Sequence, residues 1–211
     1  MKEVLIGTTN PSKVDKYRFI LGERDYTFVT PADLGITGEP DETGRDQLEN
    51  AVIKARFYGG YHDRVICMDS GLTLKDLPPD DPRQPGLRVR SPMGVRLDDD
   101  GMLEYYRSLA ASLGGRTAAC WLDGTAVWNR GRIYTLAEPA EAADEKTFYL
   151  VDVPSGKRHD GWPLDSISVY MDGGYFTDDE PRHITQSSPD ISGAAERYRA
   201  ALRRFLEESL A

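Results

Sequence analysis

The sequence predicts an α/β protein: a mixed central sheet flanked by helices. Three observations carry that expectation. The first third of the chain alternates short apolar runs with helix-spaced patterns, the middle places apolar runs in succession with turn residues between them, and one amphipathic pattern closes the chain.

Val4-Leu-Ile6 is a short apolar run ending at Gly7, after which Val14, Tyr17, Ile20 and Leu21 recur at helical spacing, so strand, loop and helix follow one another. Tyr26 to Val29 reads as a second strand, and a polar stretch rich in Gly, Pro, Asp and Glu runs to about Arg45 as a loop. From Gln47 to about Tyr58 the helical signal is clearest. Leu48, Ala51, Val52 and Ala55 share one face, and Gln47, Asn50 and Lys54 form a polar stripe expected to stay free for a ligand. Arg64 to Met68 has the composition of a buried strand, expected to stop at Asp69-Ser70-Gly71. Residues 77–100 are rich in proline and glycine and form the longest irregular stretch. A helix is expected from Leu103 to Leu113, a β-hairpin from Thr117–Val127 and Arg132–Leu136 around Asn129-Arg-Gly131, and a strand from Thr147 to Val153. Ser166 to Tyr170 reads as the last strand, and Ile191 to Leu210 as a helix carrying Tyr198, Leu202, Phe205 and Leu206 on its apolar face. The acidic runs Asp98-Asp-Asp100 and Asp178-Asp-Glu180 read as solvated turns.

At 211 residues the chain is expected to form a single domain spanning 1–211, long enough to bury a sizeable core. Hydrophobic residues at 39% and charged residues at 29% fit a globular protein, and no apolar run approaches the length that spans a bilayer. With no secretory pattern at the start, a cytoplasmic location is expected. The formal charge of −9 argues against a general nucleic-acid binder, whose affinity comes from many basic contacts to phosphate. Cys67 and Cys120 read as buried free thiols. His62, His159 and His183 lack metal-ligand spacing, so no zinc site is expected.

The chemistry begins at Gly7-Thr-Thr-Asn-Pro-Ser-Lys13-Val14, which approaches a phosphate-binding P-loop and departs from it. The P-loop needs a second glycine before its lysine and a serine or threonine after it to ligate Mg²⁺; Ser12 and Val14 stand there instead. The loop still offers the hydroxyls of Thr8 and Thr9, the amide of Asn10, backbone N–H groups at a helix start and the Lys13 ammonium, all suited to phosphate oxygens. Glu42, before Thr43-Gly44, and Asp69, before Ser70-Gly71, are hard oxygen donors of the kind Mg²⁺ accepts alongside phosphate and water, and Lys54 supplies a second cation. Each segment alone is also ordinary turn or surface chemistry; their order and spacing together point to phosphoryl transfer with an anion site and a metal site.

These residues carry a resemblance to the inosine triphosphate pyrophosphatase family. Thr8-Thr9-Asn10-Pro-Ser-Lys13 resembles the family's Thr-Gly-Asn-x-x-Lys loop, Glu42-Thr-Gly with Glu49-Asn50-Ala-x-x-Lys54-Ala55 its Glu-Thr-Gly…Glu-Asn-Ala-x-x-Lys-Ala helix, and Met68-Asp69-Ser70-Gly71-Leu72 its Asp-Asp-Ser-Gly-Leu strand end. Pro85-Gly86 with Arg88, Arg90 and Gly94, and Gly161-Trp162-Pro-Leu-Asp165, are similar to two later elements. The resemblance implies an α/β fold of two lobes with a cleft, a homodimer, and Mg²⁺-dependent hydrolysis of deaminated purine nucleoside triphosphates such as ITP, dITP and XTP to monophosphate and pyrophosphate. It implies that Asn10, Lys13 and Lys54 hold the triphosphate, with Thr8, Thr9, Ser70 and Gly71 in the same substrate site. By the same resemblance Glu42 and Asp69 bind metal, Asp69 with Lys13 serves catalysis by activating water, Trp162 stacks on the base and Asp165 lines its pocket.

The chain departs from the family at three places. Met68 stands where the family has a second acid, Thr9 where it has glycine, and residues 191–195 read Ile-Ser-Gly-Ala-Ala where a Ser-His-Arg signature reads the purine 6-oxo group. Losing those donors relaxes or redirects the choice of base. A relative with weakened turnover, binding nucleotide as a sensor or partner subunit, is the alternative reading. Trp162 reads equally as a loop anchor, and Arg88 and Arg90 as surface charges.

Overall fold

The computed structural model describes residues 1–22, 25–159, 161–178 and 193–211. Its strands form one mixed sheet. β1 (Lys2–Ile6) pairs in parallel with β2 (Tyr26–Val29) and with β3 (Arg64–Leu74). β4 (Arg116–Asn129) pairs antiparallel with β5 (Arg132–Ala137) and with β6 (Phe148–Val151), which pairs antiparallel with β7 (Ser168–Tyr170). The order is β2-β1-β3-β4-β6-β7, with β5 also on β4. Two compact units divide the chain. The first takes Met1–Ser70, Leu122–Ala142 and the C-terminal helix; the second takes Gly71–Trp121 and the chain from Ala143 through residue 178.

In the first unit the two-residue period of a strand sorts the core into two layers. Val4, Ile6, Ile66 and Met68 face Val14, Tyr17 and Ile20 of α1 (Pro11–Leu21) and Leu202 and Leu206 of α5 (Gly193–Ser209). Leu5, Val65 and Cys67 face Ala51, Ala55 and Tyr58 of α2 (Gln47–Gly59). Each fully buried Leu, Ile or Val contributes about 1.5–3 kcal/mol. Two glycines permit the close approaches. A Cβ on Gly124 would lie 2.6 Å from backbone atoms of Leu48, and one on Gly59 would lie 2.5 Å from the Trp128 ring.

In the second unit Met102, Tyr106 and Leu109 of α3 (Asp99–Ser112) pack on Ala119, Phe148 and Leu150, and on Leu164 and Ile167 of the 3₁₀ turn Pro163–Ile167. The Tyr106 hydroxyl donates to the Val89 carbonyl at 3.0 Å, tying the long irregular stretch to this core.

Several expectations need correction. β3 does not stop at Asp69 but continues through Asp69-Ser70-Gly71 to Leu74, because Leu72 and Leu74 have a second core to enter. Asp98–Asp100 is not a turn: Asp98 caps α3, accepting from the Gly101 N–H at 2.8 Å, and Asp99 and Asp100 occupy its first turn, where carboxylates favour the helix dipole. Residues 163–167 coil as a 3₁₀ turn, so β7 starts at Ser168. A short helix, α4 (Ala140–Asp144), was not anticipated. The hairpin between β4 and β5 turns through Arg130 and Gly131 with φ of 49° and 89°, the primed turn that matches strand twist. Asp178 ends a 3₁₀ turn and pairs with Lys157, while the rest of that acidic run, His183 and residues 191–192 lie outside the described residues.

Candidate active site

Lys13 reaches the site because β1 ends at a residue that can have no side chain. A Cβ on Gly7 would lie 2.5 Å from both Cys67 Sγ and Tyr58 Cδ2. The Gly7 N–H donates to the Ile66 carbonyl at 2.9 Å, the last parallel link between β1 and β3. The chain then turns: the Thr8 hydroxyl accepts from the Asn10 N–H at 3.1 Å, and the Asn10 carbonyl accepts from the Lys13 N–H at 3.1 Å, opening α1. A cavity of about 320 Å³ lies beside this loop, lined by Thr8, Thr9, Pro11 and Arg18 among others.

Helix α2 supplies the next two side chains. Asp46 caps it by accepting from the Glu49 N–H at 2.8 Å, and Arg45 pairs with Glu49, whose carboxyl it holds down at about 2. Asn50 and Lys54 then point one turn apart toward β3. The expectation of a free polar stripe fails here: Asn50 is 2% exposed. It is buried because both ends of its amide are engaged. Oδ1 accepts from the Gly44 N–H at 2.8 Å and Nδ2 donates to Asp69 Oδ2 at 2.9 Å. One residue thus ties the Glu42 segment to the acid of β3.

Asp69 lies past the end of the β1–β3 pairing, so its carboxylate is open to groups from α1 and α2. Its Oδ1 accepts from Lys54 Nζ at 3.0 Å and lies 3.9 Å from Lys13 Nζ. The same Lys54 ammonium is 2.9 Å from Glu42 Oε1. Lys13, Glu42, Lys54 and Asp69 therefore converge, all within the first unit. Burial works against the Lys54 charge, but Asp69 and Glu42 outweigh it and hold the ammonium above the usual lysine range. Lys13 goes the other way. Burial, reinforced by the Lys54 charge, lowers its pKa from 10.5 despite Asp69 and Asp123, and its contact with the Met68 carbonyl is long at 3.4 Å.

Met68, the position without the expected acid, packs its side chain among Val14, Tyr17 and Ile66 on the opposite face of β3 from Asp69. Gly71 is a buried mid-strand residue.

Sequence reasoning missed a neighbouring group. The Ser70 hydroxyl donates to Asp123 Oδ1 at 2.7 Å, and Lys16 Nζ lies 2.6 Å from Asp123 Oδ2. Glu138 Oε2 accepts from the Asp123 N–H at 3.2 Å. An acid in the apolar strand Thr117–Val127 was the available signal, but nothing local says which of its faces meets Ser70. Asn50 was missed as a site residue for the same reason.

Trp162 and Asp165 belong to the second unit. Trp162 precedes the 3₁₀ turn, its N–H donating to the His159 carbonyl at 3.0 Å, and His159 Nδ1 lies 2.8 Å from Asp165 Oδ2. Arg158, His159, Gly161 and Pro163 line a cavity of about 520 Å³ with Asp99 and Asp100. Arg90 is part-exposed and pairs with the part-exposed Asp99 at 2.7 Å, and Arg88 is exposed.

Among the described residues no group of three His, Cys, Asp or Glu side chains forms a ready metal cage. Glu42 and Asp69 fit a more sparing site. Both aim an oxygen at one positive centre, the Lys54 ammonium, and Mg²⁺ is commonly held by one or two carboxylates with the rest of its shell from phosphate and water.

Comparison with known proteins agrees with this fold. Structures of Ham1 proteins from Staphylococcus aureus and Coxiella burnetii align over 98% and 99% of this chain and 99% and 100% of theirs, with TM-scores of 0.64 and 0.68 at 20% and 18% identity. A dITP/XTP pyrophosphatase of Bacillus subtilis is 36% identical over 109 residues, 51% of this chain and 53% of that protein. One of Legionella pneumophila is 31% identical over 115 residues, 54% of this chain and 55% of that protein. The chain thus matches about half the length of these curated relatives. The Ham1 family profile matches residues 4–135, which include Lys13, Glu42, Lys54 and Asp69. The chain belongs to the Ham1 family.

Proposed function

We propose that this chain hydrolyses a non-standard or modified nucleoside triphosphate to the monophosphate and pyrophosphate, with Mg²⁺ as cofactor. The observation that carries the reading is the convergence on Asp69 Oδ1 of Lys54 at 3.0 Å and Lys13 at 3.9 Å, with Glu42 on the same Lys54. Relatives named dITP/XTP pyrophosphatases support the substrate class.

In this reading water attacks the α-phosphorus, the bond to the β-phosphate oxygen breaks, and pyrophosphate leaves. Lys13 and Lys54 neutralise charge growing on the leaving group. Asn10, Thr8 and Thr9 orient phosphate oxygens, Ser70 keeps its one hydroxyl proton on Asp123, and Asp69 takes the proton of the attacking water. Glu42 and Asp69 would hold Mg²⁺, which supplies further charge neutralisation. Asn50 keeps Asp69 aimed and the Glu42 segment beside it. The chain acts as a cytoplasmic homodimer without nucleic-acid or membrane partners; among the described residues no helix is long and apolar enough to cross a membrane.

A second reading, a nucleotide-binding relative of weakened turnover, draws on Met68: its side chain lies in the apolar core, so β3 offers the site the single carboxylate of Asp69. Pyrophosphate release with Mg²⁺ across a panel of nucleoside triphosphates separates the two and identifies the base. Asp69→Asn should cut turnover by about 10²-fold or more; unchanged turnover would overturn the mechanism.

A further inference from the structure

We propose that Lys16 is a third cation of the polyphosphate site, held ready by Asp123. The proposal rests on the phosphoryl-transfer reading above and adds a residue to it. Lys13 and Lys16 lie one turn apart on α1, where Cβ atoms three residues apart are roughly 5–6 Å from each other. Two long ammonium arms at that spacing can close on neighbouring phosphates of one chain. The head of Lys16 is not loose on the surface. It lies 2.6 Å from Asp123 Oδ2, and the other Asp123 oxygen receives the hydroxyl of Ser70, the residue after Asp69. Lys16 is thereby drawn toward the strand that carries the acid of the site.

Two further observations favour a ligand role over a structural one. Asp123 is one-tenth exposed but Lys16 is one-third exposed, more than Lys13 or Lys54, so its ammonium is the one an arriving anion meets most readily. An ion pair with a part-exposed lysine is also a modest source of stability, because solvent screens it and the cost of ordering two side chains offsets it.

The test is calorimetric binding of inorganic tripolyphosphate and pyrophosphate with magnesium, with thermal unfolding as the check on folding. Lys16→Met alone would leave Asp123 buried without its cation, so the decisive variant is Lys16→Met combined with Asp123→Asn, which removes the pair as a neutral unit. It should bind tripolyphosphate about tenfold more weakly than wild type, and Lys16→Arg should keep wild-type affinity. A folded double variant that binds tripolyphosphate as tightly as wild type would overturn the role of Lys16 alone. Failure of the wild type to bind either anion would overturn the polyphosphate reading and this proposal with it.

Discussion

Replacing Asn50 by aspartate tests the junction on which the site depends. The substitution keeps the Oδ1 acceptor used by the Gly44 N–H at 2.8 Å and turns the donor into a carboxylate oxygen 2.9 Å from Asp69 Oδ2. Two unit charges at that separation repel by about 6 kcal/mol at an effective dielectric of 20. The Lys54 ammonium, 3.0 Å from the other Asp69 oxygen, offsets part of this, leaving about 3 kcal/mol. One carboxyl of the pair then keeps its proton, its folded pKa raised above the unfolded value of about 4. A raised carboxyl contributes stability that is present below the unfolded pKa and lost as pH climbs through the folded one. Asn50→Asp should therefore be close to wild type at the acid end and lose about 3 kcal/mol between pH 4 and 8. Asn50→Ala, which removes both hydrogen bonds, should lose about 2–4 kcal/mol with little dependence on pH. Urea unfolding of the three proteins across that range reads both effects. A gap between Asn50→Asp and wild type that stays flat with pH would show that the amide does not sit on Asp69.

Two other perturbations follow from the same geometry. A Cβ at Gly44 would lie 2.6 Å from Asn50 Oδ1 and 2.7 Å from the Asn50 backbone nitrogen, so Gly44→Ala should push the Glu42 segment away at a cost of about 1–3 kcal/mol; titrating pyrophosphate release with magnesium should show a higher requirement, and an unchanged requirement would mean that Glu42 is not held through this loop. Because burial lowers the Lys13 pKa from 10.5, the folded protein should gain stability relative to Lys13→Met as pH rises through the folded value toward 10.5. A polyphosphate arriving at Lys13 reverses the shift, so binding should take up protons on the alkaline side; calorimetry in two buffers of unlike ionisation heat detects this, and Lys13→Met should abolish it.

Much of the architecture was legible in residue order, because it depends on local periodicity. Val4–Ile6, the helix from Pro11, Tyr26–Val29 and the helix from Gln47 announce themselves through spacing and bounding turn residues. So did the hairpin, since Asn129-Arg-Gly131 falls between two apolar runs and Gly131 readily takes the positive φ a tight turn needs. The convergence of Lys13, Glu42, Lys54 and Asp69 was foreshadowed only by residue type, ammoniums and carboxylates being the groups a phosphate and hard-metal site would ask for.

What pattern could not reveal was partnership between side chains far apart in the chain. Asn50 looks like one more polar residue on a helix until Gly44 and Asp69 are seen at its two ends. Asp123 looks like a misplaced charge in an apolar strand until Lys16 and Ser70 close on it. Asp69 was read as the end of a strand because the run of large apolar residues stops there; β3 in fact continues into a second core that no local window contains. Periodicity is a property of neighbours along the chain, so it foretells helices, strands and turns. Charge pairing and burial depend on distance in space, and those were settled when β3 and β4 brought Asp69 and Asp123 to the lysines of α1 and α2.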